Sequence, residues 1–152
     1  MYQRILVAVS RDTYRDAVSE ALKLVEYSGV RLRFVHVVDV PLNASEGVNL
    51  EAIYRAREKE GTRVLEEAVS LARAANVEAE AGLIDGMGRR VGALLRDEVA
   101  AWHADLLVMG ARRRNALTRI FSDNIRDAIV GRTPVAVLLA GARSPVATMS
   151  AR

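Results

Sequence analysis

Residues 105–124 read DLLVMGARRRNALTRIFSDN. The first six are an apolar, strand-like run ending in Gly110, and the stretch from Phe121 onward has helical spacing. A buried strand that feeds a helix through a short turn is the repeating unit of a parallel α/β sheet. Such a turn is also where many α/β proteins hold an anion, because a bare backbone approaches it closely and the helix N–H groups point at it. Here one glycine is followed by Arg112, Arg113 and Arg114.

The same unit recurs on either side. RILVAV at 4–9 and LRFVHVV at 32–38 are short β-branched runs suited to strands covered on both faces. Between them Val18, Ala21, Leu22 and Val25 recur at helical spacing, with Asp12 or Thr13 as cap and Ser28-Gly29 as stop. After the loop from Pro41 to Gly47, a long helical pattern runs from about Leu50 to Ala75. Leu50, Ile53, Tyr54, Val64, Leu65, Ala68, Leu71 and Ala72 share one face, and Gly61 is expected to interrupt the helix and weaken it locally.

VEAEAGLI at 77–84 alternates, as a half-covered strand does. Val91, Leu94, Leu95, Glu98 and Trp102 form the next helical stripe, with Glu98 at its edge. DLLVMG at 105–110 is the most apolar strand and is expected at the sheet centre. Phe121, Ile125, Ala128 and Ile129 mark a last helix, and VAVLLA at 135–140 a last strand. Five strands alternating with four helices predict one α/β domain over 1–140, a parallel doubly wound, Rossmann-like sheet with right-handed crossovers. Small and polar residues from 141 to 152 read as a flexible C-terminal tail.

Composition narrows the function classes. The chain has 152 residues, 51% hydrophobic and 27% charged, which fits one globular domain. No apolar run spans a bilayer, and the N-terminal run lacks a cleavage pattern. Without cysteine, disulfide and thiolate-metal chemistry are excluded, and a reducing cytoplasm is the expected compartment. A formal charge of +3, from 22 Lys+Arg over 19 Asp+Glu, argues against a nucleic-acid module. The positive charge is local, at Arg112–Arg114 and then Arg119, Arg126 and Arg132.

In a doubly wound sheet, ligands sit beyond the carboxyl ends of the strands. That selects Ser10–Thr13, Val38–Val40, Asp85–Gly88 and Gly110–Asn115. The sequence has no phosphate-binding lysine loop and no nucleophile elbow. His36 lies inside an apolar strand and reads as structural; His103 ends a helix, so neither suggests a metal site or a catalytic triad. Asp85-Gly86-Met87-Gly88 reads as a tight turn, since Val91 stands where a dinucleotide fingerprint has its third glycine. For Arg112–Arg114 three readings are open: a solvated loop paired with Asp123 and Asp127, an anion or nucleotide contact, and a partner surface.

RILVAVS at 4–10, FVHVVDV at 34–40 and the block from Ala104 to Leu139 resemble the universal stress protein family. The resemblance covers almost the whole chain. It implies a Rossmann-like sheet of the adenine nucleotide alpha hydrolase type, a non-catalytic role in stress response and a homodimer joined through the last strand. Val135, Val137 and Leu139 would lie in that interface. One branch of the family binds ATP through G-x-x-G-x9-G-[S/T] after the fourth strand, with an Asp ending the first.

Carried over, the first glycine is Gly110. The second falls on Arg113, the third on Asp123, the Ser/Thr on Asn124 and the Asp on Ser10. Arg113 places a side chain where phosphate would lie, although it keeps a positive charge. Asp123 is the costlier change, because like charges about 4 Å apart repel by roughly 4 kcal/mol at an effective dielectric near 20. The resemblance therefore implies the branch that does not bind ATP. The expected molecule is a dimeric interaction or regulatory module with an unidentified protein partner, no metal, and ATP disfavoured as a ligand. The alternative is a module for ATP, AMP or another anion, using Ser10, Val38, Gly110, Arg112, Arg113, Arg114 and Asn124.

Overall fold

Five parallel strands form one sheet in the order β3-β2-β1-β4-β5 in a computed structural model that describes residues 2–25, 29–40, 47–86, 88–110 and 135–141. The elements are β1 (Arg4–Ala8), α1 (Tyr14–Lys23), β2 (Arg31–Val38), α2 (Leu50–Ala74), β3 (Ala79–Asp85), α3 (Val91–Trp102), β4 (Leu106–Gly110) and β5 (Ala136–Ala140). The α/β class and the five parallel strands expected from the sequence are observed. Three helices lie among the described residues. The fourth, expected around Phe121–Ile129, falls outside them, as do Arg112, Arg113, Arg114, Asn124 and the tail from 142 on.

The core forms two layers because alternate strand residues face opposite ways. Ile5, Val7, Leu32, Phe34, Leu106 and Val108 meet α1 and α2 through Ala17, Val18, Ala21, Val64, Ala68 and Ala72. Leu6, Val35, Leu107 and Met109 meet α3 through Leu95, Val99 and Trp102. The sheet centre is β1, not β4 as expected. β4 lies between β1 and β5, and both β1 and β4 are buried because each has a strand on either side. β3 is an edge strand, which explains its alternating, half-covered sequence.

Two local expectations change. The helical face of α2 is narrower than its periodicity suggests: Leu50 and Leu71 are 41% and 42% exposed, while Val64, Ala68 and Ala72 are fully buried. Gly61 does not break α2, which runs for 25 residues. Instead it makes room, since a Cβ there would lie 2.4 Å from Cδ2 of His36 and 2.9 Å from Cδ2 of Leu83. The helix-propensity cost of glycine is thus exchanged for close packing of α2 on β2 and β3.

The amino end of the sheet is tied by charged groups on the α3 face. Arg33 pairs with Glu98 at 2.9 Å and with Glu80 at 3.4 Å, and Arg31 also pairs with Glu80. The Trp102 indole N–H donates to Glu80 at 3.0 Å. Arg4 stacks over the Trp102 ring at 4.5 Å and donates from Nε to the Trp102 carbonyl at 2.8 Å. Glu98 therefore faces a partner on the sheet. The Arg31 guanidinium is the main cause holding the Glu80 carboxyl below its ordinary value, with Trp102 and Arg33 adding to it.

Candidate functional site

The strand order reverses between β1 and β4, so the crevice beyond their carboxyl ends is where this architecture places ligands. β1 and β4 run in register with Ala8 opposite Met109, so Gly110 follows on the β4 side and Val9-Ser10 on the β1 side. Ser10 is exposed and its carbonyl accepts from the N–H groups of Thr13 at 3.3 Å and Tyr14 at 2.9 Å. These bonds form the turn that starts α1.

Thr13 joins the two strands. It is the N-cap residue of α1, as expected, but its side chain does not cap the helix. Its hydroxyl shares a hydrogen bond with that of Ser10 at 2.6 Å, and the residue is only 8% exposed. Its side chain lies directly over Gly110. A Cβ on Gly110 would stand 2.2 Å from Cβ and 2.3 Å from Oγ1 of Thr13. Only a residue without a Cβ fits there, and the reason is a protein contact.

Val38 lies one strand further out, at the end of β2. Its side chain is buried, and its carbonyl accepts from the Gly86 N–H at 2.9 Å. A Cβ on Gly86 would come within 2.5 Å of that same carbonyl oxygen, and Gly88 has φ of 73°. Arg89 closes the turn by donating to the Gly86 carbonyl at 2.8 Å. The glycines after β3 therefore serve a tight turn, as their spacing suggests. Beside it Tyr54 donates to Asp85 at 3.2 Å, and Arg57 donates to the Asp39 carbonyl.

His36 has a structural position. Its Nδ1 meets the Val9 carbonyl at 2.8 Å, which makes it a donor there and sets the tautomer. It thus fixes the end of β1 next to Ser10. Among the described residues no group of three or more His, Cys, Asp or Glu could hold a metal ion. No helix among them is long and apolar enough to cross a membrane.

Of the sequence-derived site residues, the structure brings Ser10 and Gly110 onto neighbouring strands, linked by Thr13. Val38 lies on the next strand, with its carbonyl bonded to Gly86. The sequence places Thr13 in the loop after the first strand and at the helix start, but does not show its packing on Gly110. The signal was present as Ser-x-x-Thr at the end of a strand, a spacing that lets the two hydroxyls meet across one turn. Val137 is 39% exposed on the edge strand β5, while Val135 and Leu139 are half-buried against the α3-side core.

The chain is similar in fold to several solved structures. A universal stress protein family member from Burkholderia pseudomallei is 25% identical, with 93% of this chain and 97% of that one covered at a TM-score of 0.72. The Archaeoglobus fulgidus universal stress protein in complex with dAMP is 19% identical, with 91% and 98% covered and a TM-score of 0.62. An Arabidopsis thaliana family protein with AMP bound is 19% identical, with 90% of each chain covered and a TM-score of 0.64. None of the curated protein sequences matches the chain. The universal stress protein family model matches residues 1–141, the span that carries all five strands and the Ser10–Thr13–Gly110 junction. This chain belongs to the universal stress protein family.

Proposed function

We propose that the chain is a non-catalytic stress-response protein that works as a dimeric interaction module, with adenine-nucleotide binding weak or lost. The observation that carries this reading is the Thr13–Gly110 contact. Gly110 is the one residue of the ATP-binding pattern that the chain keeps, and packing under Thr13 is sufficient reason to keep it. The other four positions hold Ser10, Arg113, Asp123 and Asn124. The Ser10 hydroxyl is engaged by Thr13. A carboxylate at Asp123 repels a polyphosphate.

The dimer follows from β5. Its outer side has no strand among the described residues, and Val137 is exposed on it. An unpaired edge with an exposed β-branched residue gains from pairing with a second copy. A reducing cytoplasm is the compartment that fits a chain without cysteine. The output is then contact with an unidentified protein.

A second reading has its own support. Relatives of this fold have been seen with dAMP and with AMP. Under it the chain binds a nucleotide or another anion, and the arginines take the place of the missing glycines. Calorimetric titration with ATP and Mg²⁺ separates the two. The first reading predicts no saturable heat, and binding in the micromolar range or tighter contradicts it. The second predicts saturable binding that Arg113→Gly weakens.

A further inference from the structure

The β3 edge is built differently from a protected sheet edge. Exposed edges are usually blocked by proline, by outward lysines or by charges that would meet across a new pairing. β3 reads AEAGLID and contains no proline or lysine. Its two carboxylates are both engaged within the chain. Glu80 is bonded to Arg31, Arg33 and Trp102 on the α3 side, and Asp85 accepts from Tyr54. Leu83 is 39% exposed beside them, and no strand among the described residues covers the outer side.

Along that edge runs an open groove of about 460 Å³ between α2 and β3. Leu65, Val69, Ala81 and Leu83 form its apolar floor, and Glu66 and Arg73 stand on its rim. Both rim residues are exposed on α2.

We propose that β3 pairs antiparallel with β3 of a second copy, about a two-fold axis through Gly82. The pattern is self-complementary in that register. Ala81 faces Leu83 of the other copy, Glu80 faces Ile84 and Ala79 faces Asp85, so no like charges stand opposite each other. Gly82 faces its own copy. On the helix layer the same axis runs the two α2 helices antiparallel side by side. The α2–β3 grooves of the two copies then adjoin across the axis, with Leu83 exposed in each. A two-fold interface has this property: one patch serves both sides. This interface is separate from the β5 pairing, and a chain using both edges builds assemblies larger than a dimer.

Because the chain has no cysteine, a Gly82→Cys variant carries a single thiol. Its new Cβ would lie 2.9 Å from Nη2 of Arg33 and meet no backbone, so a small shift of that side-chain end admits it. Mild oxidation is expected to give a disulfide-linked dimer. Adding Leu83→Lys is expected to slow that cross-linking about tenfold, equivalent to about 1.4 kcal/mol of association. Sedimentation of the cysteine-free chain gives a second readout, in which Leu83→Lys lowers the average mass at micromolar concentration. A Val137→Cys variant reports β5 pairing on its own. A folded Gly82→Cys chain that stays monomeric on oxidation overturns the proposal. So does cross-linking that Leu83→Lys leaves unchanged, or a mass that Leu83→Lys does not alter.

Discussion

The two ends of the sheet are held by different means. At the amino end, Arg4, Arg31, Arg33, Glu80, Glu98 and Trp102 join three strands to α3 through ion pairs, an indole hydrogen bond and a cation–π contact. At the carboxyl end, which faces the switch-point crevice, fit is set by small groups: Ser10 against Thr13, Thr13 over Gly110, Gly86 under the Val38 carbonyl. Long side chains with several partners tolerate small shifts, whereas a glycine under a threonine tolerates none. The amino end therefore contributes mainly stability, and the carboxyl end sets the steric shape of the crevice.

Substitution of Trp102 tests the first half most severely. It is buried to 8% exposure, and its loss removes the ring under Arg4 and the indole hydrogen bond to Glu80. Trp102→Ala is expected to cost about 3–5 kcal/mol of unfolding free energy, measured by denaturant titration. A loss under about 1 kcal/mol, the scale of an exposed ion pair, breaks the contrast between the two ends.

Gly110→Ala tests the second half. Its Cβ collides with Thr13, so a loss of about 1–3 kcal/mol is expected from overpacking. Thr13→Gly in the same chain is expected to recover part of that loss. Additive losses in the double variant show that the two residues do not share the space described.

The smallest effect concerns pH. The Glu80 carboxyl is held below the ordinary 4.5 chiefly by its hydrogen bond from Arg31. A depressed carboxylate contributes stability that is present above the unfolded value and is lost as pH falls through the folded one. Stability from Glu80 is therefore constant at neutral pH and declines below about 4.5. Since the side chain is 40% exposed, solvent screening keeps the effect small. In Glu80→Gln the acid-side decline in Tm is expected to be shallower, and an unchanged slope assigns that decline to other carboxylates.

These contrasts also explain what could be read from the sequence. Strand runs such as RILVAV and DLLVMG are legible because β strands covered on both faces need continuous apolar residues. Which strand is central was not, because β1 and β4 are equally apolar and only the pairing distinguishes them. For Gly61 and Thr13 the sequence shows only part of the role, for a related reason. Propensity treats glycine as a weak point in a helix and threonine as a cap, whereas here each is set by a contact with a distant element, His36 for one and Gly110 for the other. That Ser10 and Gly110 lie beside each other at the carboxyl ends of β1 and β4 was legible because periodicity gives the strand ends directly. Arg112–Arg114, Asp123 and Asn124 lie outside the described residues, so their part rests on the sequence.

On the function proposed above, the crevice between β1 and β4 belongs to a scaffold without tight adenine-nucleotide binding. Backbone amide spectra of the ¹⁵N-labelled chain, titrated with ATP and Mg²⁺, test it residue by residue. No saturable shifts are expected at Ser10, Thr13 and Gly110. Saturable shifts at these residues with a micromolar or tighter constant contradict it.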